Sequence, residues 1–277
     1  MRMKTAMKAG ALAAAITCSA GGAHGALIDR GNGMVYDTVL DITWLQDVMY
    51  ARTSGADADG VFNYQSANAW ANNLVYNGFD DWRLPTLTPV NGGAQFSSVD
   101  AGARYDGSSD YGFNIAYPGR PGDPAGVSAG FTGNELAYMF HVNLGNLAQF
   151  NTAGAQRPGA DGVDWGLVNT SFVDALTGQT VAFANLGYTD VFDGFWTNRE
   201  ANASYGWAFL HRGFSDAAFK TYWAGAWAVR DGDVLAAPPP PPPPDPGGDP
   251  TSLPEPPLWA LLLGLLPALR YARPRGG

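Results

Sequence analysis

Gly78-Phe79-Asp80-Asp81-Trp82-Arg83-Leu84-Pro85-Thr86 is the stretch whose reading decides the fold. Asn77-Gly78 reads as a helix stop, because both residues tolerate the left-handed backbone that ends a helix. Phe79, Trp82 and Leu84 are apolar, so the segment is expected to run back into a core. Arg83 stands between two of them. An arginine in that position buries its stem and pairs its head with a carboxylate or with backbone carbonyls, and Asp80 and Asp81 are the nearest candidates. Pro85 fixes the exit direction and biases Leu84 toward extended backbone. The residues fit an architectural corner that locks a helix to a sheet. The other reading is an Arg83 that faces a ligand.

Working outward, Asn63 is a candidate cap for a helix of about 12 residues ahead of this corner. Ala67, Trp70, Ala71 and Leu74 fall at i, i+3, i+4 and i+7, one apolar face. Before it, Leu27 to Arg30 and Met34 to Asp37 flank Gly31-Asn32-Gly33, the pattern of a hairpin. Ile42 to Leu45 reads as a further strand. Asp57-Ala58-Asp59-Gly60 has two of the carboxylates of a calcium loop but lacks the third and the distal Glu, so a polar turn is expected.

Asp81-Trp82-Arg83-Leu84-Pro85 after a short amphipathic helix resembles the hallmark of Lcl C-terminal-like domains, known from the Legionella collagen-like adhesin. The opening run Tyr36-Asp37 to Trp44-Leu45-Gln46-Asp47 and the closing Trp227-Ala228-Val229-Arg230 are similar to that family as well. The resemblance covers roughly residues 27 to 233. It implies an α+β, C-type-lectin-like fold: twisted antiparallel sheets, two main helices and long irregular loops. A terminal strand would close the sheet with Arg230, paired with Asp37 or Asp41 to tie first and last strands.

Thr132-Gly133-Asn134-Glu135 reads as a capping box for the second helix, with Leu136, Met139, Phe140 and Leu144 on one face and Gly145 as its stop. Residues 87 to 130 and 151 to 185 read as irregular, loop-rich insertions. Tyr105, Tyr111, Phe113 and Tyr117 in the first suit either sugar stacking or loop anchoring. Trp165 and Phe172 are the expected anchors of the second. The last third reads as antiparallel strands: Phe192 to Thr197, Tyr205 to Leu210, and Tyr222 to Arg230, which leads into a third with Trp227 and Val229 on one face and Ala226, Ala228 and Arg230 on the other.

Composition bounds the function. Of 277 residues, 36 are Gly, 20 are Pro and only 15% are charged, which suits a turn-rich extracellular domain rather than a helical bundle. Between Ala26 and Ala237 there are 10 basic and 22 acidic residues, a net charge of −12, and Lys220 is the only lysine. Such a domain is a poor nucleic-acid binder and lacks the basic patch for capturing sulfated polysaccharides by charge. Cys18 is the single cysteine. It lies in a stretch that reads as a secretory signal: Arg2, Lys4 and Lys8, a small apolar run from Gly10 to Thr17, then Ala23-His24-Gly25. Cleavage is expected between Gly25 and Ala26. The remaining chain would hold no thiol for a disulfide, a metal or redox chemistry.

Four segments are therefore expected: residues 1–25 as signal, 26–237 as the globular domain, 238–252 as a Pro/Gly-rich linker and 253–277 as a sorting segment. Pro238 to Pro244 is a stiff polyproline spacer. Pro254-Glu255-Pro256 is followed by the apolar run Leu258 to Leu269 and then Arg270, Arg273 and Arg275. This order resembles the PEP-CTERM sorting signal of Gram-negative bacteria. The resemblance implies an exosortase-type processing partner, transient inner-membrane anchoring, and release to the outer surface or beyond. Twelve apolar residues are short for a stable span, and the arginines would hold the end cytoplasmic.

Two function classes lead from here. One is a secreted surface or matrix protein, non-enzymatic, that binds carbohydrate or exopolysaccharide. Its candidate ligand residues are Trp196, Asn198, Glu200 and Trp207 near the final strands, where rings stack on sugar faces and polar groups bond hydroxyls. The other is an enzyme related to the formylglycine-generating type, whose cysteines have no counterpart here, or a hydrolase drawing on His141 or His211 with a nearby carboxylate. A matrix component without a discrete ligand is a third reading. No cofactor is expected. Calcium is the one ion the lectin-like resemblance raises, but Trp196-Thr197-Asn198-Arg199-Glu200 matches a lectin-type Trp-Asn-Asp strand only in part, and no calcium site is carried over.

Overall fold

In the computed structural model, the residues described are 26–90, 103–115, 130–159, 166–187 and 194–235. The signal, the linker, the sorting segment, Tyr117 and Trp165 lie outside them. The described chain is mixed α+β, mostly antiparallel sheet with few helices.

The first sheet is built from β1 (Leu27–Gly31), β2 (Met34–Asp37), β3 (Ile42–Leu45) and the late β11 (Val229–Asp231), in that order. Asn32 and its flanking glycines all adopt positive φ, which closes the β1–β2 hairpin. In β11, Val229 pairs with Trp44 on one side. On its other side, Arg83 N–H donates to the Val229 carbonyl at 2.8 Å and Val229 N–H donates back at 2.9 Å. The last strand thus lies between β3 and the corner at residue 83.

The second sheet has the order β4 (Val61–Phe62), β10 (Ala224–Gly225), β7 (Gly194–Glu200), β8 (Tyr205–Leu210) and β9 (Phe214–Phe219). All its pairings are antiparallel except β10 with β7. The strand expected to end at Arg230 is therefore two short pieces in two sheets. Trp227 lies between them and donates its indole N–H to the Leu45 carbonyl at 2.7 Å, with its ring 4.6 Å from Trp44. A two-stranded ribbon, β5 (Ser171–Val173) with β6 (Thr180–Ala182), crosses the region expected to be irregular.

Helix α1 (Tyr50–Thr53) is one turn. Helix α2 (Tyr64–Asn72) has the expected cap, Asn63 Oδ1 accepting from Ser66 N–H at 2.9 Å. It is shorter than expected, because Asn77-Gly78 does not end it. Asn77 (φ 49°) and Gly78 (φ 85°) instead form a two-residue turn that pairs Tyr76 with Phe79. Positive φ at both central positions is the hairpin-turn geometry. Ala67 and Ala71 of α2 pack on the second sheet with Phe62, Trp196 and Ala208. Tyr64 lies against β8 at Gly206, where a Cβ would stand 2.4 Å from its ring.

The second helix, α3 (Glu135–Tyr138), continues as a π-helical turn, Met139–Asn143. Its cap is Asn134, whose Oδ1 accepts from Ala137 N–H at 3.1 Å, so the helix starts later than a box opened at Thr132 would place it. Gly145 ends it at positive φ, as expected. Leu136, Met139, Phe140 and Leu144 join β1–β3, β7, β8 and Trp227 in the main core. The second sheet is buried on both faces, by this core and by α2.

Candidate functional site

The corner is structural, and its partners differ from those expected. Trp82 and Leu84 are buried in separate core clusters. Arg83 does not turn to Asp80 or Asp81. Its guanidinium forks onto Glu135, with both bonds at 2.9 Å, and reaches Asp231 at 2.6 Å. Glu135 also accepts Thr86 N–H at 2.6 Å, so it serves the corner rather than a capping box. Pro85 directs the chain past β7, where Asn198 N–H donates to its carbonyl at 2.9 Å. Burial pulls the Arg83 guanidinium down, but the hydrogen bonds and charges of Glu135 and Asp231 outweigh it and leave Arg83 above the ordinary arginine range.

Arg230 pairs with neither Asp37 nor Asp41. It forks onto Asp81 at 2.8 and 2.9 Å and lies 4.2 Å over the Phe79 ring. The Arg230 hydrogen bond holds the Asp81 carboxyl below the usual range. The tie between β1 and the segment just after β11 is made by Arg30 and Asp233 instead. Asp37 is buried, accepting from Val39 and Leu40 N–H at 3.0 Å and from Asn143 Nδ2 at 2.6 Å; burial pushes its carboxyl up. Asp57 accepts the N–H groups of Asp59 and Gly60, the polar turn expected there.

Of the four candidate ligand residues, Trp196 and Trp207 are fully buried and present no face to a sugar. Trp196 packs under α2 and donates to the Phe62 carbonyl at 2.8 Å. Trp207 packs with Leu87 and Ala201 on the opposite face. Asn198 and Glu200 are exposed. Asn198 Nδ2 donates to Thr86 Oγ1 at 3.1 Å, and Glu200 receives Lys220 Nζ at 2.8 Å. Tyr105 lies tilted on Phe150 and edge-on to Phe214, Phe113 is in the core, and Tyr111 packs against the Leu87, Ala201 and Trp207 cluster, so these three anchor loops.

Two exposed surfaces have binding geometry. The first is an aromatic ledge at the end of the second sheet, which the sequence reading missed. Phe219 (42% exposed), Tyr222 (58%) and Trp223 (62%) stand out from the surface. The Phe219 ring lies 4.3 Å from Tyr205 and 5.4 Å from Tyr222. Lys220 is buried, lies 5.5 Å over the Tyr64 ring and pairs with the exposed Glu200. The legible signal was Tyr222-Trp223 itself, two adjacent aromatics that directly follow the polar Lys220-Thr221.

The second surface is a cleft of about 500 Å³ between α1 and α2, lined by Tyr50, Ser54, Trp70, Asn73 and Leu74 among others. Trp70 is backed by Phe62 (5.8 Å, 22° between planes) and Tyr50 by Tyr76 (4.8 Å, 80°).

His141 and His211 both sit in the core. His141 has its ring nitrogens 3.2 and 2.9 Å from the Asn146 and Gly213 carbonyls. His211 lines a void of about 20 Å³ walled by Phe195 and Trp227, which no substrate larger than water could enter. Among the described residues no group of three or more His, Cys, Asp or Glu is arranged for a metal, and no helix is long and apolar enough to cross a membrane. No protein-family model, curated protein or solved structure matches the chain.

Proposed function

We propose that this chain is a secreted cell-surface or extracellular-matrix protein of a Gram-negative bacterium. It is non-enzymatic, has a C-type-lectin-like domain of the Lcl C-terminal type, and binds carbohydrate or exopolysaccharide. The tail is its address: an exosortase-type enzyme processes it at Pro254-Glu255-Pro256 after a transient stay in the inner membrane.

The observation that carries the binding reading is the ledge of Phe219, Tyr222 and Trp223. Exposed aromatic faces remove the C–H faces of sugar rings from water and are costly to maintain without a partner. Thr221, between Lys220 and Tyr222 in the chain, is exposed and supplies a neutral polar group beside them.

A glycan array probed with the purified protein, with and without calcium, tests it. Binding to polysaccharide that Trp223→Ala reduces at least about tenfold, roughly 1.4 kcal/mol, supports the reading. A blank array, or binding unchanged by Trp223→Ala and Tyr222→Ala, rejects the ledge as the site.

A further inference from the structure

We propose that the cleft between α1 and α2 is a second binding site, which takes one or two residues of a neutral saccharide. It rests on the carbohydrate reading above but on a different surface and different residues. Its volume of about 500 Å³ falls within the range of small-molecule sites, about 300–1,000 Å³.

The lining selects the ligand class. No charged residue lines the cleft. A cation would find no carboxylate there, and an anion would approach a domain of net charge −12 with no cation to meet it. The polar groups that remain both donate and accept, as the hydroxyls of a sugar do. Asn73 Nδ2 gives one of its two N–H bonds to the Ala69 carbonyl at 2.7 Å, which leaves the second N–H and Oδ1 for the ligand. Ser54 Oγ donates to the Ala51 carbonyl at 3.3 Å, which leaves its lone pairs. The Tyr50 hydroxyl makes no hydrogen bond among the described residues and can donate or accept. An apolar ligand would cover these groups and leave them unpaired, at a cost. A sugar has what fits: C–H faces for the Tyr50 and Trp70 rings, and hydroxyls for Asn73, Ser54 and Tyr50.

The walls are set before the ligand arrives. Phe62 backs Trp70 and Tyr76 backs Tyr50, so little side-chain freedom is lost on binding. Asn73 is the residue that follows α2, and its side-chain bond to Ala69 fixes the amide's direction.

The test is calorimetric titration of the purified full chain with cellobiose, maltose and N,N′-diacetylchitobiose. A heparin-derived disaccharide and a proline-rich peptide serve as controls. Ala69 is exposed on α2, so Ala69→Trp fills the cleft without touching the core; an unchanged melting temperature checks that it folds. At least one neutral disaccharide is expected to bind in the millimolar range or tighter. Ala69→Trp is expected to weaken it at least about tenfold, and Tyr50→Phe about fivefold, the loss of one hydrogen bond. Trp223→Ala should leave this binding unchanged. Saccharide binding that survives Ala69→Trp overturns the cleft, and if Trp223→Ala then abolishes it, the ledge reading still stands. Binding of the peptide or the anionic disaccharide in place of every neutral one overturns the inference. So does failure of all three neutral disaccharides. Cleft binding with a blank polysaccharide array would instead reject the ledge and keep the cleft.

Discussion

Replacing Arg83 with Ala removes four things at once: the fork onto Glu135, the bond to Asp231, the bond to the Leu84 carbonyl and the stem between Trp82 and Leu84. The largest loss is the Glu135 partner. Glu135 is 11% exposed in its side chain and would keep only the Thr86 N–H, at 2.6 Å. Breaking a fully buried ion pair costs about 3–5 kcal/mol, because one charge is stranded. Arg83 is 22% exposed, and Asp231, at 78%, is mostly in water and adds little. The expected cost is therefore about 2–4 kcal/mol, or roughly 5–12 °C in melting temperature for a domain of this size. Urea denaturation of the purified variant measures it. A double-mutant cycle with Glu135→Ala isolates the pair, and the double variant should be less destabilised than the sum of the singles. If Arg83→Ala costs less than about 0.5 kcal/mol, or if the two substitutions add, the corner is not held by this pair.

Three further predictions follow from individual contacts and from the tail. Gly206→Ala places a Cβ 2.4 Å from the Tyr64 ring and should cost about 1–3 kcal/mol by overpacking, read as a lowered urea midpoint; a wild-type midpoint would mean that Tyr64 does not lie there. Asp37 and Asp81 should leave opposite marks on stability against pH. Burial raises the Asp37 pKa, so its contribution is present below the unfolded value of about 3.9 and is lost as pH rises through the folded value. Arg230 lowers the Asp81 pKa, so its contribution is present above about 3.9 and is lost as pH falls. The stability of Asp37→Asn relative to wild type should thus climb as pH rises from about 4 and then level off; a difference independent of pH would be inconsistent with this. Deleting residues 251 to 277 should leave the melting temperature unchanged and alter where the protein goes, and mass spectrometry of the exported chain decides the matter: an end at Gly277 refutes processing.

Local signals were legible where one chemical rule governs one turn. Gly31-Asn32-Gly33, the Asn63 cap and the Gly145 stop all rest on backbone preferences that no distant residue overrides. Ion pairing was not legible. Glu135 lies 52 residues from Arg83, and Asp81 lies 149 from Arg230, so only the folded chain brings them together. The nearest carboxylates in sequence were the wrong ones. Trp196 and Trp207 were misread because β7 and β8 are covered on both faces, so the strand pattern does not say which side meets water. Asn77-Gly78 carried the right preference for positive φ but in a hairpin turn rather than a helix stop. Tyr222 and Trp223 read as the start of the last strand region, but β10 begins only at Ala224 and leaves both rings exposed.

The place of β11 has a kinetic consequence. Residues 27 to 45 form three strands whose open edge is filled only by Val229–Asp231, about 185 residues later in the chain, and the corner at Arg83 closes on the same strand. Neither edge can be satisfied until the last part of the domain exists. Closing loops of that length is slow, and β-rich topologies dominated by such pairings fold in milliseconds to seconds rather than microseconds. For a chain threaded across a membrane N-terminus first, the emerging portion would find no native partner for its first sheet while transit continued. If the chain is exported as proposed, this topology would act as a timer: the polypeptide would stay pliable during translocation and set only once the final strand had crossed.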